Sequence, residues 1–201
     1  MQCLKLIVAT VLCGSAYVWA DVGMITQMSG EISIATDSGS RAVVPFIKVN
    51  TGNKLTLANG ARLQLVYFSS GRQEVWNGGG LIEVGSVNST SPLKPTVTQL
   101  PPLVALQFAK MPVAGQQGKA GMIRMRSMKT PETTAQLDKQ YSDLRRRAAA
   151  DDTTPEIYLL SGLIEIKEFN RAKGVLAELS GKTGYQPVVD YFTPMVSAGG
   201  K

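Results

Sequence analysis

From Val22 to Val87 apolar and polar residues alternate in short runs. Ile32 and Ile34 alternate with Glu31 and Ser33, and Leu63, Leu65 and Tyr67 with Arg62, Gln64 and Val66. A period of two, rich in β-branched and aromatic side chains, marks half-buried strands. Ser29-Gly30, Asp37-Ser38-Gly39-Ser40, Asn50-Thr51-Gly52-Asn53, Asn59-Gly60 and Ser69-Ser70-Gly71 punctuate the runs. Such pairs supply the positive φ of tight hairpins. The spacing predicts six or seven strands in a compact sheet, sandwich or barrel.

The pattern then changes twice. Pro92, Pro95, Pro101, Pro102 and Pro112 remove backbone donors and disfavour helix before them, which predicts an extended connector over 88–120, with Leu100 to Phe108 pinned against a domain. Residues 121–127 read as one more strand, with Ile123 and Met125 inward and Arg124 and Arg126 toward solvent. Beyond it the period becomes helical. Leu137, Tyr141, Leu144 and Ala148 form one stripe behind Thr130-Pro131, a cap and a first-turn proline. Thr154-Pro155 repeats the device for a helix from Glu156 to about Glu168. A third helix runs from Arg171 to Leu179, with Ala172, Val175, Leu176 and Leu179 on one face and Gly181 as its stop. A fourth, from Pro187 to about Val196, offers Val189, Phe192 and Val196.

The first twenty residues follow neither rule. Lys5 precedes an apolar run from Leu6 to Leu12, and Val18-Trp19-Ala20 ends the segment as a peptidase site does. This is the pattern of a cleavable secretory leader, shorter than a membrane span. An uncleaved anchor, or lipidation at Cys13 behind Thr10-Val11-Leu12, fits less well. Cleavage after Ala20 predicts a periplasmic or secreted chain with no stable span. It also removes Cys3 and Cys13, so disulfides cannot hold the remainder together.

Composition narrows the chemistry. The chain has no histidine, and beyond Ala20 no cysteine. This excludes His-assisted nucleophiles, Cys/His zinc sites and thiol redox chemistry, leaving carboxylate, lysine or tyrosine chemistry. No motif implies a cofactor or metal: Asn77-Gly78-Gly79-Gly80 lacks the helix and Lys of a phosphate loop, and Asp151-Asp152 lacks calcium-loop spacing.

The β part resembles the FecR-like domain of bacterial envelope proteins. The likeness lies in Val22-Gly23-Met24-Ile25-Thr26 followed by Ser29-Gly30-Glu31-Ile32-Ser33-Ile34, then in Val49 to Leu57 and Ala61 to Phe68. The resemblance implies an all-β, extracytoplasmic domain and, in signalling members, contact with a sigma-factor pathway. Those members carry an anti-sigma segment and a membrane span where this chain has its leader, and Asn53 stands where they have an acidic residue. Phe169, Ala172 and Leu176 resemble part of one tetratricopeptide unit, whose helix-A Trp and Gly are absent; a plain helical hairpin fits these residues as well.

The formal net charge is +6, and residues 119–147 hold eight basic and three acidic side chains. Arg124, Arg126, Arg145, Arg146 and Arg147 are therefore candidates for binding an acidic partner or anionic envelope polymer. The same run fits a solvated face pairing with Asp138, Asp143, Asp151 and Asp152. Trp76, alternating with Glu74 and Arg72, is the candidate surface aromatic.

The chain thus reads as an α+β protein: leader 1–20, FecR-like β domain 21–87, connector 88–120, and strand plus helical domain 121–201. The expected function is a non-enzymatic exported binding or scaffold protein that recognises a protein or anionic polymer of the envelope, with a role in envelope signalling one form of it and, by its location, no nucleic acid as partner. A carboxylate-dependent, carbohydrate-active envelope enzyme and a protein self-associating through sheet edges are the alternatives.

Overall fold

The computed structural model describes residues 21–116 and 131–199. The leader and the strand expected at 121–127, with Arg124 and Arg126, lie outside the described residues.

The architecture is α+β, with ten strands followed by five helices among the described residues. The strands are β1 (Asp21–Ser29), β2 (Ile32–Thr36), β3 (Gly39–Ala42), β4 (Lys48–Asn50), β5 (Lys54–Leu57), β6 (Arg62–Tyr67), β7 (Arg72–Asn77), β8 (Gly80–Val84), β9 (Ser89–Thr90) and β10 (Thr96–Gln99). They form two antiparallel sheets, ordered β10-β7-β6-β1-β4 and β3-β2-β5-β8-β9. Ile25, Leu63, Leu65, Tyr67 and Trp76 of the first meet Ile32, Ile34, Leu55, Leu57 and Ile82 of the second in one buried cluster. The alternation read from the sequence is this inner face.

The other face of the first sheet is also covered, because Gln64 and Val66 on β6 are as buried as Leu63 and Leu65. Above it pack α1 (Pro102–Lys110), α2 (Pro131–Arg147), α3 (Thr154–Glu165), α4 (Phe169–Ser180) and α5 (Gln186–Gly199). Met24, Phe46 and Val66 share a second core with Val104, Phe108, Ile157, Leu160, Tyr191 and Phe192. The first sheet is therefore a middle layer, and sheet and helices share one core. Phe46, held at φ 65°, stacks on Tyr191 with ring centroids 4.1 Å apart.

The expected connector is shorter than 88–120. Within it lie β9, β10 and α1, which buries Val104, Ala105 and Phe108. Pro102 stands in the first turn of α1, where a missing N–H has no intrahelical partner to lose. Gly71 (φ +66°) shows how closely this segment is tied back: a Cβ there would lie 2.6 Å from the Leu100 carbonyl oxygen.

The helices begin close to the expected positions, with two differences at their ends. The cap of α3 is Thr153 without a side-chain bond; instead Asp152 Oδ1 accepts from the Thr154 amide at 2.9 Å. Gly181 follows α4 with φ −91°, so this helix ends without a left-handed residue. Gly162 lets α3 approach α2, because a Cβ there would run into Leu137.

Candidate functional site

Between β7 and β10 on one side and the α2–α3 junction on the other lies a cleft of about 400 Å³. Amides and hydroxyls of Gln64, Gln73, Thr96, Thr98, Gln140 and Thr154 line it, beside charged residues such as Asp143 and Arg147 and apolar ones such as Val75 and Leu144. The strand register explains part of this. Thr98 lies opposite Gln73 and Thr96 opposite Val75, so all four point to the helical side of the sheet.

The floor is a buried polar network, in which Gln64 Oε1 has no partner among the described residues. Gln64 Nε2 donates to Asp152 Oδ1 at 3.0 Å and to Thr154 Oγ1 at 2.8 Å. Gln73 Nε2 donates to Asp152 Oδ2 at 3.0 Å, and Thr154 Oγ1 donates to Gln73 Oε1 at 2.9 Å. All four residues are buried. Asp152 is thus satisfied by two neutral amides and a backbone N–H at the positive end of α3, an arrangement that stabilises a buried carboxylate. The network had no sequence signal, since Gln64 and Gln73 sit at positions that alternation assigns to solvent.

The arginine triplet divides by function. Arg145 turns inward: its Nη1 donates to Glu156 Oε2 at 3.0 Å and to the Asp152 carbonyl at 2.8 Å, and its Nη2 reaches the Ala149 carbonyl. Burial lowers its pKa, but the Glu156 charge and hydrogen bond outweigh this and leave it above the ordinary value. Arg146 pairs with Asp143 on the same helix. Arg147 is exposed, lines the cleft and has no polar partner among the described residues. Of the expected acidic partners, Asp138 instead holds Arg171 and Asp151 holds Arg62, the latter at 3.3 Å.

Trp76 is not a surface aromatic. It is 1% exposed, and its Nε1 donates to Glu74 Oε2 at 3.2 Å. Glu74 lies wholly buried beside it, with Oε1 accepting from Arg72 Nε at 2.7 Å and from the Ser89 amide at 3.2 Å. Charged neighbours at alternate positions suggested an outer face; here Glu74 is internal and satisfied, with the partly exposed Arg72 as its counter-ion. Nearby, the Tyr67 hydroxyl and Ser89 Oγ lie 2.6 Å apart, and burial pushes the phenol up to about 12.

The cleft presents mainly hydrogen-bonding and charged side chains. Its two carboxylates are engaged, Asp143 by Arg146 and Asp152 by the amide network. Among the described residues no group of three or more metal-ligating side chains forms a metal site, and no helix is long and apolar enough to cross a membrane. No protein-family model, curated protein or solved structure matches this chain.

Proposed function

We propose that this chain is a non-enzymatic binding or scaffold protein of the bacterial envelope, exported by cleavage after Ala20 and built on a FecR-like β domain. Its partner is a protein or an anionic envelope polymer. The observation that carries the reading is the polar cleft lined by Arg147, which has no partner among the described residues. The cleft's other charges are engaged within the protein, Arg62 by Asp151, Asp143 by Arg146 and Asp152 by Gln64 and Gln73, so neutral donors and acceptors beside the Arg147 cation favour a hydrophilic partner bearing negative charge. Arg145 belongs to the scaffold of that site, and Trp76 to the core beneath it.

The test is photocrosslinking in cells from a benzophenone side chain placed at Gln140, paired with sedimentation of the purified protein on isolated envelope polymer. Either a discrete crosslinked protein or salt-sensitive co-sedimentation, diminished by Arg147→Ser, is expected. Absence of both, or equal signals from the variant, overturns the reading.

A further inference from the structure

The first sheet ends at β10, which among the described residues pairs with β7 alone. Edge strands present unpaired backbone N–H and C=O groups, and folded proteins usually protect them with charge, proline, bulges or brevity. The other three edges show such devices: β3 carries Arg41, β4 carries Lys48 against a bulged β1, and β9 has two residues. β10, four residues long with Pro95 just before it, carries neither a charge nor a bulge. Its four residues, Thr96 to Gln99, are uncharged and exposed, and its register with β7 is regular. Its Thr96 and Thr98 side chains face the cleft, while Val97 on the other face is 43% exposed.

The surrounding charge favours one kind of occupant. Arg147 faces the cleft, and Lys94 stands exposed two residues before β10; neither has a partner among the described residues. We infer that β10 accepts an extended, acidic segment of a partner protein as an added strand, with alternate side chains directed into the cleft and a carboxylate meeting Arg147. Main-chain bonds to β10 supply affinity in this mode, and the side chains entering the cleft supply selectivity. A second copy of the chain is a poorer occupant, because two copies of β10 would bring Lys94 and Arg147 of each toward like charge. The inference rests on the binding reading above and narrows it to one partner class and one geometry.

The probe is a random decapeptide library selected on the immobilised protein, followed by synthesis of the enriched peptides. Acidic sequences are expected, with exchange slowed on binding at those β10 amides that point away from β7. N-methylation of alternate peptide amides should abolish binding in one register only. Arg147→Glu should weaken an acidic peptide by about tenfold or more, and a peptide with Lys in place of the acidic residue should recover affinity for that variant. Failure to enrich any peptide, protection in the unbound protein of those β10 amides that point away from β7, dimerisation through β10, or peptides indifferent to Arg147→Glu would each overturn the inference. If such a failure accompanies intact crosslinking from Gln140, strand addition is wrong and the binding reading stands.

Discussion

Arg145 and Glu156 are joined across α2 and α3, Nη1 to Oε2 at 3.0 Å, and the Glu156 side chain is only 6% exposed. Removing one member of such a pair leaves a charge buried without its counter-ion. Arg145 also holds the Asp152 carbonyl, and so orders the turn that carries the polar network. Arg145→Ser should therefore destabilise the fold by about 2–3 kcal/mol, below the range for fully buried pairs because Arg145 is partly exposed. Arg146→Ser and Arg147→Ser should each lie within about 0.5 kcal/mol of the parent. Denaturant melts of the three single variants check this; equal stabilities would mean that the triplet is one solvated run.

Asp152 should tolerate replacement poorly despite having no cationic side chain bonded to its carboxylate. Asp152→Ala strands donors on the buried Gln64 and Gln73 side chains and on the Thr154 amide. The expected loss is about 3 kcal/mol. Asp152→Asn keeps the volume but turns a donor toward a donor, so it should recover only part of it. An asparagine variant as stable as the parent would show that the carboxylate charge is dispensable.

Trp76 gives a spectroscopic check of the inner core. Trp19 is the chain's other tryptophan, so protein lacking residues 1–20 reports on Trp76 alone. Its emission should be blue-shifted and resist acrylamide quenching, and Trp76→Ala should destabilise by about 3–5 kcal/mol. Red-shifted, readily quenched emission would return Trp76 to the surface.

Alkaline pH should weaken the fold through Tyr67. Its phenol is pushed up to about 12 chiefly by burial, against an ordinary value near 10, so the folded state keeps a proton that the unfolded chain releases. The contribution is present in full below pH ~10 and is lost as pH rises toward ~12, by an amount on the order of 2 kcal/mol. Tyr191, also raised by burial, adds in the same direction. Melting temperatures from pH 9 to 12 test the sign, and Tyr67→Phe should flatten part of the decline.

How much of this the sequence disclosed depended on whether a rule of period applied. The inner face of β6 and the stripe of Leu137 and Leu144 on α2 were legible because each element shows one apolar side. The outer face of the first sheet was not. It is buried partly with glutamines, and Gln64 and Gln73 look like solvent positions until Asp152 is placed between them from a distant segment. α1 was hidden by Pro101-Pro102, which halts a preceding helix but starts a following one. Trp76 was misplaced because Glu74 is buried and paired with the partly exposed Arg72, which pattern alone cannot distinguish from two exposed charges. The site is thus less legible than the fold: of the expected binding residues, Arg147 alone is both described and placed at the cleft.

The shared core leads to a last prediction, about separating the two parts. A fragment of residues 21–87 retains the inner cluster of the two sheets, but it strips the helices from Met24, Gln64, Val66 and Gln73. It also removes Ser89, whose hydroxyl meets Tyr67 and whose amide meets Glu74, leaving a buried carboxylate short of a donor. β10 is lost as well, so β7 becomes a new edge. An exposed apolar face beside an unprotected edge favours association over a monomeric fold. The fragment should show β-type circular dichroism without a cooperative melt, bind a hydrophobic dye and self-associate with concentration. A monomeric fragment melting sharply, within a few degrees of the parent, would mean that the inner cluster suffices and that the helices rest on an independently stable domain.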